Sequence, residues 1–456
     1  MSTTFGRVHF IGIGGVGMSA IAKVLIERGV RVTGSDLKRS GVLTTLEAVG
    51  AQVSIGHRAE AVEGADLVVV SSAIPPDNPE LVAARDAGIQ VASRGEALAS
   101  VLEGTDAVIV AGTHGKTSTT SMAVSIFRAA EMDPTYLVGG GLNDAGTNAR
   151  FGRGRFSIAE ADESDGSFLL LRPTVGVVTN VEVDHVDYWS SLESLHEAFS
   201  TFMAAVTEGG AIVVPSTDER LIATARQTGR RVITFGEGGD VAGHDPQPVQ
   251  GGIEFDLVAT GSSARVALRV PGRHNVANAL AAGAAALAAD ISVDQIAAGL
   301  ASYRGVERRF QIRGSAAGVV IVDDYAHHPT EVAATLSTAA TQAGNRVLAV
   351  FQPHRYSRTA AFAERFGASF AHADVVVVTD VYGAGEAPVP GVSGKLIADA
   401  VCEKFPGRPV AYLPHRDELI AYLTRTARPG DLLLTMGAGD VTSVGEELLG
   451  RLGRTE

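Results

Sequence analysis

This chain has a single cysteine and lacks both long apolar runs and a recognisable targeting segment. Cys402 is the single cysteine among 456 residues, which excludes an intrachain disulfide and fits a reducing compartment. No apolar run approaches the roughly 20 residues that span a bilayer. The N-terminal segment has no basic region followed by a long apolar stretch, as a signal peptide would have. We therefore expect a cytoplasmic protein without a membrane partner.

Basic and aromatic residues are also few. Lys and Arg total 38 against 51 Asp and Glu, and the resulting net charge is −13. This balance argues against a nucleic-acid partner, because binding a phosphate backbone requires clustered basic side chains. Aromatic residues make up 5% of a chain that is 45% hydrophobic, so the core must consist mainly of Ala, Val, Leu and Ile. Such a composition suits layered α/β packing.

Short runs rich in Val and Ile alternate with Ala-rich stretches of helical length throughout the sequence. The alternation is typical of parallel sheets whose strands are joined by crossover helices, and the chain is long enough for about three domains. We place these domains at residues 1–105, 106–313 and 314–456. Because ligands of such sheets bind beyond the carboxyl ends of the strands, the residues that follow each strand are the candidates for a site.

The segment AGTHGKTSTT, residues 111–120, follows an apolar run and opens onto a segment that can be helical. Such a glycine-rich turn can hold nucleotide phosphates, because Lys116 approaches the β- and γ-phosphates and Thr117 offers its hydroxyl to Mg²⁺. The standard spacing has a glycine where this chain has Val110, so the loop is shorter at its front. The segment predicts ATP chemistry, and its candidate residues are Gly112, Thr113, His114, Gly115, Lys116, Thr117 and Ser118.

A second glycine-rich turn follows the first predicted strand. Gly12, Gly14 and Gly17 have the GxGxxG spacing before a helix predicted from Met18 to Arg28. Asp36 ends the next strand about 20 residues later. Taken alone, this dinucleotide fingerprint suggests a dehydrogenase. A diphosphate at the helix N-terminus could equally belong to a UDP-sugar, and the glycines could also simply tighten a turn.

Carboxylates follow two apolar strands of the second block. Glu160 follows the run FSIA, where a carboxylate at a strand end can coordinate Mg²⁺, although the other acids of EADESD compete for that role. His185, in the VEVDHVD string after the next strand, could bind a second cation or satisfy a local hydrogen bond. The location of Glu160 in the same block as Lys116 and Thr117 favours it as the ligand.

The string PGRHNVANALAA, residues 271–282, leads a loop into an Ala-rich helix. Its polar residues His274, Asn275 and Asn278 could bind and stack against an adenine. Alternatively, Asn275 could cap the helix, and both roles are compatible.

Polar side chains also follow two apolar strands of the third block, and among them are Asp324, Tyr325, His327, Arg355 and Arg358. Arginines in a loop after an apolar strand are suited to bind a carboxylate or phosphate with two hydrogen bonds. Arg308 and Arg309, just before this block, could reach the same cleft. The third block therefore predicts a site for an anionic substrate and a transferring phosphoryl group.

Eight strings in order resemble the Mur ligase family: GIGGVGM, GTHGKTS, EADESD, TNVEVDHVD, PGRHNVANALAA, VERRFQ, DDYAHHPTE and FQPHRYSRT. The resemblance covers nearly the entire chain, and the ordered set is highly specific. It implies an α/β protein of three domains. These are an N-terminal Rossmann-like parallel sheet for a UDP-sugar, a central P-loop ATPase-type domain, and a C-terminal Rossmann-like domain for an amino acid.

The resemblance also implies roles for individual residues. The catalytic residues would be Lys116, Glu160, His185, His327, Arg355 and Arg358. Thr117 and Glu160 would bind one Mg²⁺ and His185 a second. Besides the phosphate loop, ATP would contact His274, Asn275, Asn278, Arg309 and Asp324. The UDP-sugar and the amino acid would contact Gly14, Gly15, Gly17, Asp36, Ser71, Tyr325, His327, Arg355 and Arg358.

The implied activity is ATP-dependent amide ligation in peptidoglycan precursor synthesis. The strings look most like those of members that join L-alanine to UDP-N-acetylmuramate through an acyl phosphate, with His327 as a candidate general base. Several sister ligases use a carbamylated lysine, but this chain has no lysine between Lys116 and Lys395. That device therefore cannot operate in the central domain. We expect a monomer or a homodimer.

Three alternatives stay open at this point. A recycling ligase of the same family would attach a preformed tripeptide to the same UDP-sugar. A nicotinamide-dependent dehydrogenase would explain Gly12 to Asp36 but leaves Lys116 and Glu160 without a purpose. A regulatory nucleotide-binding protein would bind ATP without forming an amide.

Overall fold

Each of the three sequence blocks builds its own sheet in the computed structural model, which describes residues 5–184 and 188–453. Strands joined by helices alternate along the chain, and most strand pairs are parallel. The predicted α/β architecture with three domains is confirmed. No helix in these two ranges combines the length and the apolar character needed to cross a bilayer.

The N-terminal sheet has the strand order β3-β2-β1-β4-β5, and its pairs are all parallel within the described ranges. Its strands are β1 (Arg7–Ile11), β2 (Arg31–Asp36), β3 (Gln52–Ile55), β4 (Leu67–Val70) and β5 (Gln90–Ser93). Its helices are α1 (Val16–Glu27), α2 (Gly41–Ala48), α3 (Pro79–Asp86) and α4 (Arg94–Leu102). The prediction that the first helix runs from Met18 to Arg28 was wrong at both ends. Extended Gly15 is the N-cap, so the helix begins two residues earlier.

The central sheet has the strand order β15-β14-β13-β12-β11-β10-β6-β9-β7-β8. Its first five strands are β6 (Asp106–Ala111), β7 (Thr135–Leu142), β8 (Thr147–Arg150), β9 (Phe156–Glu160) and β10 (Val175–Val178). The others are β11 (Ala211–Pro215), β12 (Arg231–Phe235), β13 (Val241–Val249), β14 (Gly252–Ala259) and β15 (Ser262–Leu268). Because β6 pairs in parallel with both β9 and β10, the turn after β6 lies in the middle of the sheet's carboxyl edge.

The central domain's helices are α5 (Lys116–Ala129), α6 (Leu192–Ala204), α7 (Glu219–Gln227), α8 (Arg273–Ala288) and α9 (Val293–Ser302). Alanine-rich α8 and short α9 pack with α5 in the core on one face of the sheet. The approach of α9 to α5 depends on Gly299, because a Cβ there would lie 2.4 Å from the Ile126 Cα. Glycine thus allows close contact with the helix that follows the predicted phosphate loop.

The third sheet has the order β16-β17-β21-β18-β19-β20, in which only β16 and β17 are antiparallel among the described pairs. The strands are β16 (Gln311–Ala316), β17 (Val319–Asp324), β18 (Val347–Phe351), β19 (Val375–Val378), β20 (Val410–Tyr412) and β21 (Leu432–Met436). The helices are α10 (Pro329–Gln342), α11 (Tyr356–Ser369), α12 (Lys395–Lys404), α13 (Arg416–Thr426) and α14 (Thr442–Leu452). Strand β16 spans the boundary placed between residues 313 and 314.

Candidate active site

The turn between β6 and α5 requires glycine at both ends. Gly112 and Gly115 have φ angles of 131° and 79°, which other residues rarely adopt. A Cβ on Gly112 would lie 2.1 Å from Thr179 Oγ1, and one on Gly115 would lie 2.4 Å from Asn278 Oδ1. The backbone therefore passes as close to its neighbours as glycine permits.

The loop after β10 holds this turn in place. The His114 amide donates to Asn180 Oδ1 at 2.9 Å, and Thr179 Oγ1 donates to the His114 carbonyl at 2.6 Å. The Thr113 amide donates to the Asn180 carbonyl at 3.0 Å. The turn is thus fixed with the N-terminus of α5 at its end, which is the arrangement of an anion-binding site.

Lys116 lies at the start of α5 and is paired with a buried carboxylate. Its Nζ donates to the Gly112 carbonyl and to Glu163 Oε2, each at 2.7 Å. Burial lowers the pKa of Lys116, but Glu163 and Asp162 outweigh it and raise that pKa overall. Burial raises the pKa of the Glu163 carboxyl to about 7. A phosphate would have to compete with Glu163 for the ammonium group.

Glu160 and Thr117 converge where strands β9 and β7 approach α5. Thr117 Oγ1 donates to Glu160 Oε1 at 2.9 Å, and the Gly139 amide donates to Glu160 Oε2 at 2.8 Å. A hydroxyl oxygen and a carboxylate oxygen at one point match the ligands that Mg²⁺ prefers. His185, predicted to bind a second ion, lies outside the described residues, so that role stays a prediction.

The alternative role of Asn275 as a helix cap is wrong. Helix α8 begins at Arg273 with Gly272 as its N-cap, and Asn275 lies inside the first turn. Its Nδ2 donates to the Pro271 carbonyl at 2.7 Å, and Asn278 Nδ2 donates to Asn275 Oδ1 at 3.2 Å. Asn278 Oδ1 in turn accepts from Thr119 Oγ1 at 3.4 Å. The asparagines therefore connect the start of α8 to α5.

His274 is neutral at physiological pH. Burial, with a smaller contribution from Arg309, lowers the pKa of His274 to about 4. A neutral ring is compatible with the predicted contact to an adenine, which stays a prediction.

The predicted UDP-sugar residues meet at the carboxyl ends of β1, β2 and β4. Asp36 Oδ2 accepts from the Gly14 amide at 2.9 Å, and a Cβ on Gly14 would lie 2.7 Å from that oxygen. Ser71 follows β4, and its Cβ lies 3.5 Å from where a Cβ on Gly12 would be. Gly15 precedes α1 as its N-cap. The structure thus brings these residues together at the point where the strand order reverses, which is where ligands of such sheets bind.

A cavity of about 780 Å³ is lined by residues of all three domains, and its volume is typical of ligand sites. The predicted site residues in its lining are Gly17, Thr113, His114, Gly115, Lys116, Thr117, Glu160, Arg308, Arg309, Tyr325 and His327. The other predicted residues that the structure describes lie outside this lining: Gly12, Gly14, Gly15, Asp36, Ser71, Gly112, Ser118, His274, Asn275, Asn278, Asp324, Arg355 and Arg358. Arg94, which the sequence did not single out, also faces the cavity.

His327 presents a ring nitrogen without a proton in this region. Its Nδ1 donates to the Tyr325 carbonyl at 2.9 Å, and because a carbonyl can only accept, Nε2 is left without the proton. Burial lowers the pKa of His327 to about 4. The ring is therefore neutral and able to accept a proton at Nε2.

Asp324 fixes the backbone at the entry to the third domain. It accepts hydrogen bonds from the amides of Phe310 and Ala326, each at 2.7 Å. Burial raises the pKa of the Asp324 carboxyl to about 6. Its predicted contact with ATP is untested, and the structure assigns its oxygens to the segment that joins two domains.

Arg358 makes a buried ion pair between domains. Its Nη2 lies 2.8 Å from Asp184 Oδ1 and 3.1 Å from Asp184 Oδ2, and the two residues are 5% and 6% exposed. Arg355, with a φ of 67°, is the N-cap of α11, and its amide donates to the Tyr382 carbonyl at 2.8 Å. Substrate binding by the two arginines stays a prediction, and Arg358 joins the third domain to the loop after β10.

Glu331 is a central contact that the sequence reasoning missed. It lies in the first turn of α10, where its Oε1 is 3.4 Å from His114 Nδ1 and its Oε2 is 3.3 Å from His327 Nδ1. Burial opposes ionisation, but His327 and His114 outweigh it and hold the pKa of Glu331 well below its usual range. The string HHPTE carried a signal, because Pro329 at the first helical position with glutamate two residues later marks a helix start.

Glu182 is a second missed contact, and nothing local in the sequence marks it. Its Oε2 lies 3.2 Å from His114 Nε2, and Thr330 Oγ1 donates to it at 2.8 Å. Burial lowers the pKa of His114, but Glu182 and Glu331 outweigh it and raise that pKa to about 9. His114 of the phosphate loop is therefore held between a carboxylate of its own domain and one of the third domain.

Three family models match the chain in sequence order. They are the Mur ligase family, catalytic domain, at residues 7–105, the Mur ligase middle domain at residues 110–286, and the Mur ligase, glutamate ligase domain, at residues 308–439. The match extends over most of the chain and over each of the three sheets.

Curated relatives match over the full length. The UDP-N-acetylmuramate--L-alanine ligase of Pelotomaculum thermopropionicum is 47% identical and covers 98% of this chain and 97% of its own. The enzyme of the same name from Rubrobacter xylanophilus is 48% identical and covers 98% and 100%.

Solved structures of Mur ligases are also similar to this chain over nearly its full length. The UDP-N-acetylmuramate-alanine ligase of Thermotoga maritima has a TM-score of 0.84 at 28% identity and covers 99% of this chain and 100% of its own. A murein peptide ligase of Psychrobacter arcticus has a TM-score of 0.73 at 25% identity and covers 98% of each chain. This chain therefore belongs to the Mur ligase family.

Proposed function

We propose that this chain is an ATP-dependent ligase that joins L-alanine to the lactyl carboxylate of UDP-N-acetylmuramate, in cytoplasmic peptidoglycan precursor synthesis. The observation that carries the proposal is the cavity that all three domains line, whose lining includes Thr113 to Thr117 of the phosphate loop. The names of the full-length relatives supply the substrates. An N-terminal site for a UDP-sugar, a central site for ATP and a third site for an amino acid would open onto this common space.

The first step would activate the carboxylate, which is a poor acylating group by itself. The carboxylate attacks the γ-phosphate of ATP, so that an acyl phosphate forms and ADP leaves. Lys116, freed from Glu163, would neutralise charge on the transferring phosphoryl group. Thr117 and Glu160 would hold Mg²⁺, which supplies further positive charge when bound. We propose a second ion at His185.

The second step would form the amide. The neutral amine of L-alanine attacks the acyl carbon, phosphate leaves with the bonding electrons, and the nitrogen gives up a proton. His327 Nε2, which is unprotonated and lies on the cavity, is the proposed acceptor of that proton. The interdomain contacts of Glu331 and Arg358 would hold the third domain closed over the reactive acyl phosphate and exclude water from it.

The proposed function is tested by mass spectrometry of the product. The purified chain is incubated with ATP, Mg²⁺, UDP-N-acetylmuramate and a mixture of amino acids, and we expect the mass of the alanyl product together with release of phosphate. Competition between L-alanine and a preformed tripeptide addresses the recycling activity, which the likeness to a murein peptide ligase keeps as the second candidate. A tripeptide adduct as the main product, or no product that depends on ATP, would contradict the proposal. Size-exclusion chromatography decides between monomer and homodimer.

A further inference from the structure

Three potential metal ligands from two domains converge beside the phosphate loop. His114 lies in the turn before α5, Glu182 in the loop after β10, and His328 at the N-cap of α10. One ligand atom from each of the three lies within 4.8 Å of the other two. Two imidazole nitrogens and one carboxylate oxygen form the donor set of a zinc-type site with an open fourth position.

Both imidazoles present a buried ring nitrogen to this point. His328 is 0% exposed, and its Nε2 lacks a partner in the described part of the chain. His114 Nε2 is also buried, and it lies 3.2 Å from Glu182 Oε2 in the contact that helps raise the pKa of His114. A buried polar atom without a partner costs about 1–3 kcal/mol. The unpartnered His328 Nε2 beside the His114–Glu182 pair indicates that a ligand belongs there, and a metal ion would take the place of the His114 proton.

The groups around these three residues would orient them as outer-shell partners do. Glu331 Oε1 lies 3.4 Å from His114 Nδ1, which is the carboxylate–histidine arrangement that fixes metal-bound imidazoles. Thr330 Oγ1 donates to both oxygens of Glu182 at 2.8 Å, and Arg365 also pairs with Glu182. The positions of the carboxylate and of the His114 ring are therefore set before any ion binds.

The distances are compatible with a tetrahedral ion after small rotations of the side chains. Zinc bonds of about 2.0–2.1 Å put neighbouring ligand atoms about 3.4 Å apart, and His114 Nε2 and Glu182 Oε2 already lie 3.2 Å apart. Because the ligand atom of His328 lies within 4.8 Å of the other two ligand atoms, the His328 ring has to move toward them by up to about 1.4 Å. Its Nδ1 accepts from the Thr330 amide at 3.4 Å, and this long bond is readily given up when the ring proton moves to Nδ1.

We propose that His114, Glu182 and His328 bind a divalent transition-metal ion of the zinc type, which bridges the central and third domains. Nitrogen ligands and a small coordination number favour Zn²⁺ over Mg²⁺, which requires oxygen ligands in octahedral geometry. The site is distinct from the proposed Mg²⁺ position at Thr117 and Glu160. Because His328 belongs to the third domain and the other two ligands to the central domain, the ion holds the two in contact.

The test measures binding of Zn²⁺ alone to the full chain, free of any affinity tag, by equilibrium dialysis in excess Mg²⁺. We expect one equivalent of Zn²⁺. His328→Asn keeps a side chain able to cap α10, and Glu182→Gln keeps the side chain's shape. Each should weaken binding at least tenfold, since loss of even an outer-shell partner costs about 10- to 100-fold. Co²⁺ in place of Zn²⁺ should give a tetrahedral visible spectrum.

Two control variants locate the ion. His372→Gln removes an exposed imidazole of the third domain, and Glu160→Gln alters the proposed Mg²⁺ position, so both should retain Zn²⁺. Circular dichroism and the thermal midpoint of each variant without metal show that it is folded. Zn²⁺ should raise that midpoint in the parent and in the two control variants, but not in His328→Asn or Glu182→Gln. Absence of Zn²⁺ from the parent, or retention unchanged in both ligand variants, overturns the proposal. So does loss of Zn²⁺ in Glu160→Gln alone. None of these measurements depends on the ligase reaction.

Discussion

Gly299 offers a quantitative test of how α9 packs against the helix that carries Lys116. Replacing a glycine inside a helix by alanine gains about 1 kcal/mol in helix propensity. At Gly299 the added methyl would lie 2.4 Å from the Cα of Ile126, so a helix must move rather than a side chain. Overpacking costs about 1–3 kcal/mol, and a backbone contact places the cost near the upper figure. We expect Gly299→Ala to be destabilised by about 2 kcal/mol.

Two other glycines provide matched controls. Gly283 lies in α8, where a new Cβ would be 3.2 Å from Ile296 Cγ2, a side-chain methyl that needs to shift by only a few tenths of an ångström. Gly283→Ala should therefore be neutral or stabilised by up to about 1 kcal/mol. Gly450 is exposed in α14, and a Cβ there would meet nothing within 4 Å, so Gly450→Ala should gain about 0.5–1 kcal/mol. The three substitutions are chemically identical, and only the surroundings differ.

Thermal unfolding followed by circular dichroism measures the differences. In a domain of this size, 1 kcal/mol corresponds to about 2–4 °C in the midpoint, so Gly299→Ala should melt about 4–8 °C lower. The KM for ATP should rise as well, because a shift of α9 is transmitted through α5 to the phosphate loop. Equal midpoints for Gly299→Ala and Gly283→Ala would refute the described contact between α5 and α9.

Three further outcomes are expected. Lys116→Ala should lower kcat/KM for ligation by roughly 100- to 1,000-fold or more while calorimetry shows UDP-sugar binding largely unchanged, and normal turnover would rule out its role. Burial opposes ionisation of Glu80, but bonds from His9 and Ser35 outweigh it and lower the pKa of Glu80 below 4.5. The ionised Glu80 stabilises the fold fully above pH 4.5, and this stabilisation is lost as the pH falls through the pKa of Glu80 in the folded protein. Glu80→Gln should therefore make the thermal unfolding midpoint less dependent on pH between pH 6 and 3. Parallel plots of midpoint against pH for the parent and the variant would contradict this. Tyr303→Phe removes a 3.0 Å bond to Ser121 and should cost about 0.5–1 kcal/mol in urea unfolding, whereas an unchanged midpoint would argue against the bond.

Strand, turn and helix are encoded in contiguous residues, which is why the sequence predicts so much of the fold. The phosphate loop is an example, because residues 106–117 combine an apolar strand, two glycines with positive φ and a helix start. The glycine-rich turn before α1 and the strand-end location of Glu160 follow from the same local rules. Helix ends are less certain, since a single residue decides them. Gly15 and Gly272 are the N-caps of α1 and α8 where the sequence had indicated a later start or an asparagine cap.

Contacts between domains could not be predicted in this way. The pairing of Arg358 with Asp184 joins residues 174 positions apart, and no local pattern tells whether such an arginine binds substrate or another side chain. The same holds for Glu182. In the sequence it is one of several neighbouring acids, and only the third domain supplies its partners Thr330 and Arg365. Only the relative position of the central and third sheets creates these interactions.

The loop after β10 explains why chemistry and domain contact occur at the same place. Its first residues, Thr179 and Asn180, hold the phosphate turn, while Glu182 and Asp184 bind side chains of α10 and α11. About five residues therefore connect the phosphate turn to the third domain. If closure of the third domain depends on ATP, it should depend on this loop. Asp184→Asn, which weakens the pair with Arg358, should leave ATP binding measurable by calorimetry but increase protease cleavage near residues 305–310 in the nucleotide complex. Equal cleavage of the parent and the variant would show that this loop does not couple the two domains.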